Sequence, residues 1–297
     1  MRVESNYGGC FSRSHPLPSF FVIGPPRTAT TWLYEVLQEF TVLPNPTKET
    51  RFFDLHFHRG LDWYLAHFPH AGGEARWGEV APTYFASALA RERIARVIPD
   101  AKVVCIFRNP VERVISLYRV KRAYGMLPWT FEQAILNDPE LLESGKYVNH
   151  LIAWQRTFGP AAVLPTIYDD LRDKPQTYLN VLADFIGSPR FLLTPTQLNR
   201  VYSSENMTHP RHYYCTHGAT AVADWCKARR LDHLVSIVKK SPFIKLVLGG
   251  GQAFAELSSD FSGMLYEHFR PDVEELESIL KRDFPDWKAP RSQTQAA

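Results

Sequence analysis

The sequence predicts an α/β fold with a central parallel sheet flanked by helices, and three observations carry that expectation. Residues 19–24 (SFFVIG) and 102–107 (KVVCIF) are short apolar runs of the kind that form strands buried on both faces. Each run leads through a tight turn into a segment with helical spacing of apolar residues, and two strand-loop-helix units in one chain require crossovers, which imply parallel strands. The chain of 297 residues is 45% hydrophobic and 22% charged, and a chain of that length buries roughly 75% of its unfolded surface.

The first helix is predicted from TATTWLYEVLQEF, where Trp32, Leu33, Val36, Leu37 and Phe40 share one face and the threonines suit a helix start. After KVVCIF, the triplet Arg108, Asn109 and Pro110 breaks the strand, and VERVISLYRVKR continues with helical period, Pro110 lying near the first helical position. A third strand is expected at 162–168 (AVLPTIY), weakened by its own proline, followed by a helix from KPQTYLNVLADFIG. Helical patterns also cover 147–158 and 261–282. Mixed polar loops, a basic helix near 220–240 and the triple glycine at 249–251 leave the stretch from about 190 to 255 unassigned. No linker cuts the chain, so residues 19–288 are expected to form a single domain, with a poorly ordered extension at 1–18 and a tail at 289–297.

Thirty-four basic against 31 acidic residues leave a net charge of +3, which carries no polybasic footprint for nucleic acid or an anionic bilayer. Any anion must be held locally. Four cysteines, at 10, 105, 215 and 226, show neither a disulfide framework nor a paired metal spacing, so a reducing compartment is expected, with Cys215 and Cys226 the one pair close enough to suspect. The N-terminus has no apolar h-region and no run approaches the ~18 apolar residues of a membrane span, which leads to the expectation of a soluble, cytoplasmic protein.

Residues 24–31, GPPRTATT, join a buried strand to a helix N-terminus, where free amides and the positive dipole end favour an anion. Arg27 adds a charged donor fork, and Thr30 and Thr31 add hydroxyls. Taken alone, the loop reads equally as an anion cradle or as a helix cap beside a surface arginine. Against the P-loop pattern G-x-x-x-x-G-K-[ST], Ala29 takes the sixth position and Thr30 the lysine position, so the residue that reaches β- and γ-phosphates is missing. That weighs against an ATP or GTP hydrolase. Arg108 ends its strand and Ser116 lies two helical turns on, so both can face the carboxyl edge of the sheet where open α/β folds bind ligands. Together the two loops suit a nucleotide with phosphates at two ends.

These residues resemble the sulfotransferases that use 3′-phosphoadenosine 5′-phosphosulfate (PAPS), especially the heparan-sulfate-type branch. GPPRTATTWL is similar to the 5′-phosphosulfate loop of that family, usually written with a Lys-x-Gly-Thr-Thr core, and KVVCIFRNPVERVISLY matches its 3′-phosphate motif. KETRFFD at 48–54 resembles the Lys-Glu-x-x-Phe-Phe-Asp segment of the glycan branch, and GEVAPTYF at 78–85 resembles its Glu-Lys-Ser-Pro-x-Tyr-Phe segment. GKYVNHLIAWQRTFG from 145 and the closing FRPDVEELESILKRDFPDW are also similar to family features. Three positions depart from the pattern: Arg27 replaces a lysine, Ala29 replaces a glycine and narrows the loop by a methyl group, and Val80 replaces a lysine. The last weighs against a sulfated or carboxylated glycan acceptor.

The resemblance implies a P-loop-like three-layer fold and an in-line transfer of the sulfuryl group to a hydroxyl or amine, with PAP as the product and no metal required. Alignment and charge stabilisation then do most of the work. It implies Glu49 as general base, with burial beside Phe52 and Phe53 raising its proton affinity, and Lys48 and Arg27 as charge stabilisers. The nearby His56 and His58 remain alternatives for the base, and Glu79 is expected to buttress the pocket. Donor contacts are expected from Arg27, Thr28, Ala29, Thr30, Thr31, Trp32, Arg108 and Ser116, and from Arg211 in ENMTHPRHYY, which resembles a nucleotide-closing loop. The acceptor class stays open among small molecules, lipids and glycans. Competing readings are a nucleotide kinase-like phosphotransferase, which the missing P-loop lysine disfavours, and a catalytically silent nucleotide-binding protein, which Glu49 disfavours.

Overall fold

The computed structural model describes residues 16–69, 75–198, 208–229, 251–255 and 257–289. The greater part of the expected N-terminal extension and of the tail, most of the basic helix near 220–240, the first two glycines of the triple glycine and residues 205–207 of the nucleotide-closing loop lie outside them.

The elements run β1 (Phe20–Val22), α1 (Thr30–Leu37), α2 (Leu61–Leu65), β2 (Gly78–Val80), α3 (Ala88–Val97), β3 (Lys102–Phe107) and α4 (Pro110–Ala123). They continue with α5 (Phe131–Asn137), α6 (Glu140–Glu143), α7 (Tyr147–Phe158), β4 (Val163–Ile167), α8 (Tyr168–Asp173) and α9 (Pro175–Ile186). The last are α10 (Pro195–Leu198), α11 (Tyr213–Ala228) and α12 (Ser259–Leu280). The strands form a four-stranded sheet in the order β2-β1-β3-β4, with every described pairing parallel.

Alternation along the strands creates the layers. Phe21, Val103, Cys105 and Phe107 point to one face and pack with residues of α3, α4, α7 and α12, while Phe20, Val22, Val104 and Ile106 point to the other and pack with α1 and α9. A strand buried on both faces has no polar side to show, which is why β1 and β3 read as continuous apolar runs. Among the described residues β4 has a single neighbour, so Pro165 within it takes away an amide the edge strand can spare.

The strand β2 was not anticipated from the sequence. Gly78-Glu79-Val80 is only three residues long with a carboxylate at its centre, and its pairing with β1 decides its conformation. Gly78 is needed because a Cβ there would stand 2.3 Å from the Phe20 ring.

Helix starts are held in different ways: α1 begins after Ala29 with no side-chain cap, so the threonines expected there do not cap it, whereas α4 is capped. Asn109 accepts hydrogen bonds from the amides of Val111 and Glu112, with Pro110 at the first helical position of α4. Lys146 offers α7 no side-chain cap, and Asp272 of α12 takes that role by accepting from the Tyr147 and Val148 amides at 2.8 and 3.1 Å. That bond joins two segments far apart in the chain. The suspected pair Cys215 and Cys226 are free thiols, as is Cys105. Both of the pair lie on α11, where eleven residues of helix separate them by about 16 Å, beyond the reach of a disulfide. Among the described residues no helix is long and apolar enough to cross a membrane.

Candidate active site

The candidate site lies beyond the carboxyl ends of β1, β2 and β3, where the loops of an open parallel sheet diverge. The chain leaves β1 through Gly24, whose missing Cβ lets the backbone pass the Ile106 amide of β3; a Cβ would stand 2.8 Å from that nitrogen. Beyond it, Arg27 and Ala29 adopt left-handed backbone, with φ of 79° and 63°. Such turns can aim successive amides into one concavity, and the first-turn amides of α1 have no helical acceptors of their own. Buried Thr28 locks the turn by donating its hydroxyl to the Pro25 carbonyl at 2.8 Å, so its side chain serves the loop and is not free to hold a ligand. Ala29 thus keeps the left-handed conformation that suits the expected glycine, at a cost of roughly 1 kcal/mol or more for a residue with a Cβ.

The two predicted anion cradles meet. Arg27 donates through Nε to the Ser116 hydroxyl at 3.0 Å, across 89 positions of sequence. Arg108 follows β3 directly, its Nη1 reaching the Arg27 carbonyl at 3.5 Å. Tyr147 holds the Arg108 carbonyl at 2.7 Å, the Arg108 guanidinium pairs with Glu112 at 3.0 Å, and it lies 4.6 Å over the Tyr168 ring. Burial, and then the nearby Arg108 charge, hold the Arg27 guanidinium below its ordinary pKa. A partly desolvated cation beside a second cation is stabilised by an anion between them, so these residues fit a phosphate-bearing donor.

Lys48 links the KETRFFD segment to the first loop. Its Nζ donates to the Thr30 hydroxyl at 3.3 Å and to the Glu49 carboxylate at 3.0 Å. Glu49 keeps 28% of its side chain exposed, so the burial beside Phe52 and Phe53 expected for it is not found. Those rings turn inward instead, Phe52 stacking on Tyr64 at 4.6 Å and Phe53 standing edge-on to Tyr84 at 5.9 Å.

The carboxylate inside that aromatic box is Glu79, which has no exposure. One oxygen accepts from the Thr50 amide at 2.9 Å and the Thr50 hydroxyl at 2.7 Å, and the other accepts from the Tyr64 hydroxyl at 2.9 Å. The Tyr84 hydroxyl lies 3.4 and 3.3 Å from the two oxygens. Burial pushes the Glu79 carboxyl up to about 7, with the donors from Thr50, Tyr64 and Tyr84 pulling the other way.

The remaining predicted residues are placed differently. Trp32 is buried in the core cluster shared with α9, and its indole donates to the Gln197 carbonyl at 3.0 Å. Val80 is fully buried at the end of β2 and presents no side chain to an acceptor. Half-buried His56 packs against Trp63 at 5.4 Å and is held below its ordinary pKa by burial and then by Arg59, while His58 is exposed. Among the described residues, no hydrogen bond joins either imidazole to Lys48 or Glu49. Arg211 is exposed in a cleft with Arg122, His209 and Gln252, and no described contact brings it to Arg108 or Ser116.

Sequence reasoning did not single out Thr50, Tyr64, Tyr84, Glu112 or Tyr168. Tyr168 was detectable in principle, because it follows β4 as Arg108 follows β3. Glu112 was detectable too, four residues after Arg108, whereas Thr50 and Tyr64 carry no local signal because their partner Glu79 is supplied by another segment.

Parallel strands whose carboxyl-end loops bring two cationic cradles together define an α/β protein with an anion-holding sheet edge. The profile of the sulfotransferase domain family matches residues 17–225, more than two thirds of the chain. The chain belongs to that family. It is 31% identical over 199 residues to the bifunctional heparan sulfate N-deacetylase/N-sulfotransferase 2 of Bos taurus, a match covering 59% of this chain and 22% of the relative. It is 26% identical over 305 residues to the type 1 protein of Mus musculus, covering 91% of this chain and 30% of the relative. The chain thus spans less than a third of the length of these curated relatives. A crystal structure of a sulfotransferase from Alicyclobacillus acidocaldarius superposes with a TM-score of 0.65 at 19% identity, covering 92% of this chain and all of that one, and it shows the same fold.

Proposed function

We propose that the chain transfers the sulfuryl group of PAPS to an acceptor hydroxyl or amine, with Glu49 as base and Arg27, Lys48, Arg108 and Ser116 gripping the donor. The single observation that carries this reading is the Arg27–Ser116 bond, which joins the loop after β1 to the helix after β3 and makes one edge out of two anion cradles. PAPS, when bound, supplies the sulfuryl group and leaves as PAP. Arg108 and Ser116 hold the 3′-phosphate end. Arg27 and the amides and hydroxyls at Thr30 and Thr31 hold the 5′ end, where charge develops as the bond to sulfur breaks. The Lys48 ammonium, placed at the mouth of the loop through Thr30, neutralises part of that charge. Glu49 is the partly exposed carboxylate beside it, set to accept the acceptor's proton as the new bond to sulfur forms.

Relatives named as heparan sulfate N-sulfotransferases support an acceptor that is an amine or hydroxyl of an amino sugar. Val80, buried where the glycan branch carries a lysine, offers no cation for an acidic glycan, so we favour a less acidic acceptor. The test pairs thermal shift with PAP, ATP and ADP against labelled-PAPS transfer to a phenol, a long-chain alcohol and an amino-sugar oligosaccharide. Stabilisation by PAP well beyond ADP, with label incorporated into at least one acceptor, is the expected result. Equal stabilisation by ATP and PAP without transfer would reject it in favour of a phosphotransferase or a silent binder.

A further inference from the structure

We propose that Glu79 is a positioning residue for sulfuryl transfer, setting the Lys48–Glu49 pair through its double hydrogen bond to Thr50. The inference rests on the assignment of Glu49 as base.

Glu79 sits at the centre of β2, in parallel register with Phe21 of β1, so its backbone is as rigid as the sheet. A carboxylate there is costly. Burying an ionisable group without full solvation costs several kcal/mol, and an apolar residue would pack the same space without that penalty. What the carboxylate does with its position is specific. Both hydrogen bonds to its Oε1 from Thr50, at 2.9 and 2.7 Å, fall on the residue that follows Glu49. The Thr50 amide belongs to the peptide that carries the Glu49 carbonyl, so this bond fixes the plane from which the Glu49 side chain departs. Tyr64 and Tyr84 hold the other oxygen, which keeps the carboxylate from rotating away.

Thr50 is also where the chain changes direction. Lys48 and Glu49 before it are partly exposed at the loop mouth, whereas Phe52 and Phe53 after it are fully sunk in the core. Thr50 Oγ1 accepts from the Phe52 amide at 3.1 Å, and Arg93 clasps the Phe53 and Asp54 carbonyls at 2.8 and 3.1 Å, so the downstream side is pinned independently. Among the described hydrogen bonds, the upstream chain is next pinned only at Pro44 and Asn45, which bond Tyr34 and the His67 carbonyl, so Lys48 and Glu49 are held by the lysine contacts and by the Glu79 bonds to Thr50 beside them. No helix or strand carries Glu49 itself.

The experiment compares Glu79→Leu, Glu79→Gln, Thr50→Val, the Glu79→Leu/Thr50→Val double variant and Glu49→Gln in the whole chain. It measures kcat and PAPS KM with the best acceptor of the panel above, PAP affinity by calorimetry, and folding by near-ultraviolet circular dichroism. A misplacement near 1 Å costs about 100-fold, so kcat is expected to fall about 100-fold in folded Glu79→Leu while PAP affinity stays within about twofold. Glu79→Gln, which can still accept from Thr50, is expected to recover most of that loss. Thr50→Val is expected to lower kcat about tenfold, and the double variant is expected to be no worse than Glu79→Leu, because both act through one contact. Wild-type kcat in folded Glu79→Leu, multiplicative losses in the double variant, or parallel loss of PAP affinity would overturn the proposal. Should Glu79→Leu fail to fold, an unchanged kcat in Thr50→Val overturns it by itself. Substantial turnover in Glu49→Gln would overturn the base assignment and this inference with it. An inactive Glu49→Gln beside a fully active Glu79→Leu would overturn the positioning role alone.

Discussion

In the proposed assignment, the donor edge and the acceptor edge of the site are held in opposite ways. On the donor edge, Arg108 directly follows β3 and Ser116 lies on α4, and the loop residue Arg27 is tied to that helix through Ser116, with the Arg108–Glu112 i,i+4 pair as partial compensation for the two neighbouring cations. Partly exposed pairs of that kind contribute little to stability. On the acceptor edge, Lys48 and Glu49 belong to no regular element, and a fully buried carboxylate holds them from behind. Regular structure can place a cation at the rim of a sheet, whereas an irregular segment needs a satisfied polar network to place a base.

Exchanging the roles of the two edges is the strongest challenge to this contrast. Glu49→Ala is expected to lower kcat by roughly 10²–10⁴-fold while PAP affinity changes less than about twofold, in transfer assays run beside calorimetry. A matching loss of PAP affinity would merge the edges into one.

Next in size is a pH effect confined to the acceptor edge. The Glu79 carboxyl is raised from 4.5 to about 7 in the fold, chiefly by burial. Between those values the folded chain keeps a proton that the unfolded chain has released, so stability falls as pH rises through the window. The loss is on the order of 3 kcal/mol at most, since each pKa unit corresponds to about 1.4 kcal/mol. Urea titrations from pH 5 to 8 should show the wild type losing stability relative to Glu79→Gln, and parallel curves would remove Glu79 as the cause.

The smallest effect belongs to the donor edge. Arg108→Ala removes one charge-assisted contact and is expected to weaken PAP binding about tenfold to a hundredfold. An unchanged isotherm would place the 3′-phosphate elsewhere.

Legibility followed the same division. The strands β1 and β3 and the helices α1, α4 and α7 could be read directly, because each is set by local period or a proline, and the shared edge of the Arg27 loop with Arg108 and Ser116 followed from the parallel order of those units. The strand β2 could not, since three residues with a glutamate at the centre carry no strand pattern. The buried carboxylate was likewise sought at Glu49, next to the two phenylalanines in sequence, and was found at Glu79, next to them in space.

The amino-acid sequence by itself determined the α/β class, the order of its strand-loop-helix units and the residue types of the donor cradle, because hydrophobic period and turn chemistry act over a few residues. Only the tertiary structure decided which carboxylate is dry and which is wet, and that Thr50 rather than Phe52 or Phe53 carries the link between them. Desolvation is a property of everything packed around a group, and no short stretch of chain contains its own surroundings.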